Sequence, residues 1–274
     1  MLQSLQVTII LLALNEMNIL LTNDDGIQSE GINSLFNILS GQHNVFMIAP
    51  KSEQSACSNA ITVRTQLKIK KIAENRYSVT GFPADCVIIG LSGTFLPEID
   101  LVVSGINHGP NVGDDLVFSG TVGAARTGYM FGKSAIAISI DSYHRPSHYA
   151  DDASRFLLDF IGTYIGDGRL SPAPDGRKKR EYPHSHSFYN INYPDLPAEK
   201  IKGKRMTYVG RRIYRDSFKK TRFESDEAVV QMGGYIESVK AEGSDTTELE
   251  RGFISITPLM TDCTNYDSLK KFLG

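Results

Sequence analysis

Apolar residues in the first part of the chain come in short unbroken runs. Residues 17–23 (MNILLTN), 44–49 (NVFMIA, closed by Pro50), 99–104 (IDLVVS) and 134–140 (SAIAISI) are each bounded by turn-forming or polar residues. Runs of this length with such flanks predict buried strands. Between them the period changes. Ile32, Leu35, Phe36 and Leu39 recur at i, i+3, i+4 and i+7 and predict a helix, with Ser29 placed to cap it. Further helices are predicted over residues 84–91, over 121–131 (rich in small residues and preceded by Ser119-Gly120) and over 149–165. Residues 60–82 read as an antiparallel pair turning at Asn75. Strands that are apolar throughout and alternate with helices predict an α/β fold: a doubly wound, mostly parallel, Rossmann-like sheet with right-handed connections.

The pattern changes after residue 165. Residues 166–187 mix Pro, Gly and the basic run 177–180 and read as a loop or insertion. Residues 188–193 (FYNINY) are strand-like, residues 227–239 alternate like a β-arm, residues 252–258 (GFISITP) form a closing strand and residues 266–273 a terminal helix. Residues 17–165 are thus an α/β core and residues 188–274 a C-terminal extension with β-arms. Such arms rarely stand alone, which predicts a homo-oligomer built through them. The apolar stretch at 5–14 is too short to span a bilayer. No Lys or Arg precedes Lys51, so it lacks the basic start of a signal peptide. Residues 1–16 read as a dispensable extension ahead of Met17.

Composition narrows the class. A chain of 274 residues and 30.3 kDa buries about 70% of its unfolded surface and needs no disulfide or metal to fold. A net charge of −2 argues against a nucleic-acid coat protein, and no membrane partner is indicated. Cys57, Cys86 and Cys263 are far apart, with no CxxC or zinc spacing, which points to a reducing compartment, the cytoplasm.

Candidate chemistry collects in four polar clusters. The first strand ends in Asn23-Asp24-Asp25-Gly26, two adjacent carboxylates on a tight turn. The second cluster is Ser52, Glu53, Gln54, Ser55, Ser58 and Asn59. The third runs from Ser104 to Asn111 (SGINHGPN), and the fourth is Ser119-Gly120-Thr121. Each alone is a loop. All four lie past the carboxyl ends of core strands or at the helix start that follows, the edge where open α/β sheets bind ligands. Carboxylates, hydroxyls and an amide without sulfur or imidazole suit a hard divalent cation, Mg²⁺ or Mn²⁺. Ser119-Gly120-Thr121 at a helix N-terminus offers an anion pocket. A cation beside an anion pocket suggests a phosphate ester. Neither GxxxxGK[ST] nor GxGxxG after the first strand is present.

The segments ILLTNDDG (19–26), SACSNAIT (55–62), DLVVSGINHGPNVGDDLVFSGTVGAA (100–125), NINYPDLP (190–197) and GFISITPL (252–259) together resemble the SurE family of metal-dependent 5′-nucleotidases. The resemblance covers nearly all of the chain beyond residue 16. It implies one divalent metal ion per subunit, held by Asp24, Asp25, Ser55 and Asn107, with Asp24 and Asp25 catalytic. It also implies hydrolysis of nucleoside 5′-monophosphates, extending to 3′-monophosphates and short polyphosphate, and a homodimer or homotetramer with exchanged C-terminal elements. Gln54 and Ala56 stand where the family has arginine and glycine. That departure touches the arginine's phosphate contact and leaves Ser52 and Ser58 as rivals to Ser55. Asn111, Ser119, Gly120 and Thr121 are the expected phosphate binders, and Asn23 and His108 candidate substrate contacts. Asp114-Asp115 reads as a solvated loop and Asp245 as an outer support. The basic stretch 200–222 is a solvated hairpin face or a guide for anions. The competing reading is a non-catalytic nucleotide- or anion-binding module on the same edge. The paired carboxylates argue against it.

Overall fold

The structure, a computed structural model, describes residues 16–94, 96–142, 148–165, 186–215, 218–223 and 226–273. The expectations for residues 1–15, for 166–185 and for the basic run within the latter lie outside the described residues.

The short apolar runs form the strands β1 (Asn18–Thr22), β2 (Asn44–Pro50), β3 (Ile69–Ala73), β4 (Arg76–Val79), β5 (Leu101–His108), β6 (Ser134–Ile140) and β7 (Phe188–Tyr193). The helices between them are α1 (Glu30–Leu39), α2 (Pro83–Leu91), α3 (Gly120–Met130) and α4 (Ala150–Phe160). The helix expected to run to residue 165 ends at Phe160 and continues as a π turn over Ile161–Ile165. Ser29 sits at the N-cap of α1, but its side chain makes no cap bond. It accepts instead from Asn23 Nδ2 at 2.7 Å.

Nine strands join in one sheet in the order β3-β4-β2-β1-β5-β6-β7, continued by β13 (Ile254–Pro258) and β8 (Lys204–Met206). The six strands from β4 to β7 are parallel. β3 and β13 run antiparallel to their inner neighbours. The C-terminal segment therefore returns to the core: β7 and β13 complete the central sheet. Alternate side chains of β1 face opposite layers. Ile19 and Leu21 pack with Leu35 and Leu39 of α1 and Leu157 of α4. Leu20 packs with Val87 of α2 and Val122 of α3. Each of these fully buried aliphatics contributes about 1.5–3 kcal/mol. Burial on both faces is why these strands read as unbroken apolar runs.

The order places the site. From β1 the chain steps outward through β2 to β4, then crosses back to β5 on the other side of β1 and steps away through β6 and β7. The direction reverses between β1 and β5, leaving a crevice at their carboxyl ends. Asp24 and Asp25 follow β1, and Asn107 lies near the end of β5.

Beyond the sheet, β9 (Arg211–Arg215) pairs antiparallel with β12 (Tyr235–Val239), and β10 (Phe218–Phe223) with β11 (Ala228–Met232). This nested ribbon is the expected arm. The helices α5 (Asp245–Glu250) and α6 (Tyr266–Leu273) follow β12 and β13. No helix among the described residues is long and apolar enough to cross a membrane.

Candidate active site

The turn after β1 is held from within. Asn23 is fully buried and donates through Nδ2 to the Gly26 carbonyl at 3.0 Å as well as to Ser29. The one amide nitrogen thus closes the NDDG turn, and its Oδ1 is a buried oxygen without a hydrogen-bond partner. Gly26 has φ +94°, a conformation that disfavours other residues. The second loop docks on the turn through Gln54 N–H to the Asp24 carbonyl, 2.7 Å, and Ile27 N–H to the Pro50 carbonyl, 2.9 Å.

Asp24 is 4% exposed. Its Oδ2 accepts from Thr121 N–H at 3.1 Å, and its Oδ1 accepts a short hydrogen bond from the Thr121 hydroxyl. The N-terminus of α3 therefore holds the carboxylate of Asp24, where the sequence suggested an anion pocket for phosphate. Ser119 is also committed, its hydroxyl accepting from Val122 N–H at 3.0 Å as the N-cap. Gly120 makes the approach possible. A Cβ there would lie 2.9 Å from the Asp24 side chain and 2.6 Å from Cys57 Sγ. Burial pushes the Asp24 carboxyl up to about 6, and the charge of Asp25 adds to that, against the lowering by Thr121.

Asp25 is half-buried and accepts from His108 N–H at 3.2 Å through Oδ2, which ties the first loop to the end of β5. Asn107 gives its amide nitrogen to the Gly109 carbonyl at 2.7 Å and the His108 carbonyl at 3.3 Å. That orientation leaves its Oδ1 as an acceptor. The register of β5 against β6 shifts between Ser104 and Asn107, the kind of bulge that re-aims side chains at a sheet rim. His108 has a buried Nδ1 without a partner.

Ser55 is exposed and donates to Glu53 at 2.6 Å. Its rival Ser58 is committed to the framework. Its hydroxyl donates to the Val117 carbonyl at 2.6 Å and its N–H to the Phe118 carbonyl at 2.8 Å. Asn111 is drawn into the protein. Its amide donates to Ser139 Oγ at 2.8 Å, its N–H to Asn192, and its carbonyl accepts from Asn190 and Asn192. The role visible for Asn111 is to hold the loop after β5 against β7.

Two groups, Cys57 and the pair Asp114-Asp115, escaped the sequence reading or were misread, and Asp245 acts as a support. Cys57 lies beside Asp24 and Gly120, and burial, then the Asp24 charge, push its thiol up to about 11. Asp114 and Asp115 are not a solvated loop. Asp114 accepts from Arg212 N–H at 2.7 Å, and Asp115 bonds the Arg212 guanidinium and the Tyr214 hydroxyl. Asp245 is fully buried and accepts from the N–H groups of Gly113 (3.0 Å), Gly210 (2.7 Å) and Thr246 (2.7 Å). The arm's root is thus clamped to the turn Gly113–Val117 that leads into α3. Only the loop position of Asp114 and Asp115 is visible in sequence; their partner Arg212 lies 98 and 97 residues away.

The oxygens that could hold a hard cation here are the carboxylates of Asp24 and Asp25, the Oδ1 of Asn107 and the hydroxyl of Ser55 on the second loop. Among the described residues no cluster of three or more His, Cys, Asp or Glu could hold a metal.

The family profile described as "Survival protein SurE" matches residues 19–216. The 5′-nucleotidase SurE of Kosmotoga olearia is 40% identical over 260 residues, 93% of this chain and 96% of that one. That of Leptospira interrogans serovar copenhageni is 38% identical over 254 residues, 92% of this chain and 95% of that one. The crystal structure of the SurE protein from Aquifex aeolicus superposes with a TM-score of 0.75 at 32% identity, covering 93% of this chain and 99% of that one.

Proposed function

The chain belongs to the SurE family, and from that premise we propose that it is a phosphomonoesterase that hydrolyses nucleoside 5′-monophosphates to nucleoside and phosphate. The observation that carries the reading is that Asp24 and Asp25 stand at the crevice between β1 and β5, Asp24 braced by Thr121 of α3 and Asp25 by the N–H of His108, the residue after Asn107. Asp24, Asp25, Asn107 and Ser55 would hold one Mg²⁺ or Mn²⁺. Bound there, the ion supplies Lewis acidity toward a phosphoryl oxygen and makes water more acidic.

The chain's own groups divide the remaining work. Asp24 is a positioning and charge-bearing group, because Thr121 fixes both its oxygens and leaves each a lone pair for the cation. Asp25 is the accessible carboxylate, fixed by the His108 N–H, and takes a proton from the attacking water. The water oxygen bonds to phosphorus as the ester P–O bond breaks, and the departing nucleoside oxygen gains a proton. With Thr121 given to Asp24, the Gly120 N–H and the positive end of α3 remain for a phosphoryl oxygen.

The test is phosphate release from 5′- and 3′-monophosphates and tripolyphosphate with Mg²⁺, Mn²⁺ or EDTA, alongside manganese calorimetry. Asp25→Asn is expected to lower kcat by about 10²–10⁴-fold. Turnover undiminished in EDTA, or an Asp25→Asn enzyme at wild-type rate, would sink the reading.

We also propose a homodimer or homotetramer through the arm. A two-stranded ribbon is marginal on its own, and this one exposes Val229, Val230, Met232, Tyr235 and Ile236. Sedimentation should show a dimer or tetramer that dissociates when Met232 and Ile236 become Lys; a monomeric wild type would refute it. The free cysteines suit a cytoplasmic enzyme, and neither a nucleic-acid nor a membrane partner is invoked.

A further inference from the structure

We propose that Phe118 is the platform on which the substrate's nucleobase stacks, in a corner completed by Tyr214. The inference rests on the nucleoside-monophosphate reading and adds the group that recognises the base. Phe118 is 54% exposed, an aromatic ring the core does not claim. Its ring meets that of Tyr214, 42% exposed, at 6.1 Å between centroids and 88° between planes. Two perpendicular rings offer a flat ligand one face to stack on and one edge to abut.

The Tyr214 ring and the Phe118 backbone are fixed from behind. The Tyr214 hydroxyl bonds Asp115. Phe118 N–H donates to the Asp115 carbonyl at 3.0 Å, and the Phe118 carbonyl accepts from Ser58 N–H at 2.8 Å. The Ser58 hydroxyl secures the Val117 carbonyl one residue earlier, at 2.6 Å. An aromatic on a backbone already ordered in this way loses little freedom when a ligand lands on it.

Placement supplies the occupant. Phe118 immediately precedes Ser119, and Thr121, bonded to Asp24, follows three residues on. Three residues span at most about 11 Å between Cα atoms, so the Phe118 backbone lies within that distance of Thr121, the residue bonded to Asp24. The part of a nucleoside monophosphate remote from phosphorus is a planar base. Every base has a π-face, so stacking accepts purines and pyrimidines alike. The platform therefore favours nucleotides over plain sugar phosphates without selecting one base.

The test uses the full chain and compares kcat/KM for AMP, UMP and ribose 5-phosphate. Phe118→Ala is expected to cut the preference for either nucleotide over ribose 5-phosphate about tenfold, mainly through KM, and Phe118→Tyr to preserve it. The chain contains no tryptophan, so Phe118→Trp installs a single reporter. Its fluorescence should be quenched by AMP and not by ribose 5-phosphate. An unchanged preference in Phe118→Ala, an equal loss on all three substrates, or a Trp signal that follows protein concentration and ignores AMP would overturn the assignment. A wild type that releases phosphate from none of the three would defeat the catalytic reading instead, and the fluorescence titration would still decide the platform.

Discussion

Asp24→Asn is expected to lower turnover by about 10³-fold and, in protein stripped of divalent cations, to raise stability at neutral pH. The first half follows from removing a negative charge that helps to hold the divalent cation. The second follows from burial. The carboxyl titrates at about 6 in the folded chain against an ordinary 3.8. A raised carboxyl means that the folded state resists ionisation. The penalty is absent below about pH 4, grows between pH 4 and 6, and is complete above 6, where it is on the order of 3 kcal/mol. Asparagine keeps the shape and can accept from Thr121 N–H while its amide donates to the Thr121 hydroxyl. Denaturation midpoints in EDTA should therefore diverge in favour of the variant as pH rises from 4 to 6 and run level above that. Adding Mn²⁺ should raise the wild-type midpoint and not that of the variant. Coincident stability curves across pH would show that the buried charge carries no such cost.

Gly105→Ala is expected to be the most damaging single-methyl change to the fold, costing about 3–5 kcal/mol. Gly105 has φ +141°, and a Cβ there would lie 2.2 Å from the Ile138 carbonyl oxygen and 2.8 Å from Ile138 Cγ2. The obstacle is backbone of the neighbouring strand, which cannot swing aside as a side chain can. Relief requires β5 to move away from β6 where the register shifts, two residues before Asn107. Activity should fall with stability. Gly93→Ala is the control: φ is +69°, but nothing lies within 4 Å of its Cβ, so only about 1 kcal/mol is at stake. Urea titration of both variants decides the matter, and equal midpoint shifts would refute the steric account.

The parallel core was legible because its strands are buried on both faces. That condition leaves a local trace, an unbroken run such as ILLT or LVVS. The four loops of the site were legible because each follows a run and is rich in Asp, Ser, Asn and Gly. What each side chain does there was not. Thr121 reads as a helix-start phosphate ligand, yet it bonds Asp24, 97 residues away in the chain. Asn111 reads as a donor to phosphate, yet it is spent on Ser139, Asn190 and Asn192. A hydrogen bond between distant segments has no local signature. The return of β7 and β13 to the sheet was hidden for the same reason: pairing depends on partners that periodicity does not name.

The bonds from Asp114, Asp115 and Asp245 to the base of the arm set where this chain tolerates shortening. The hydrogen bonds described for these three carboxylates reach the arm at Gly210, Arg212 and Tyr214. A deletion that removes both Gly210 and Arg212 takes partners from all three aspartates and strips support from the turn that leads into α3. The arm is therefore two things joined end to end: an outer ribbon, and a root whose loss leaves the turn into α3 without its anchor.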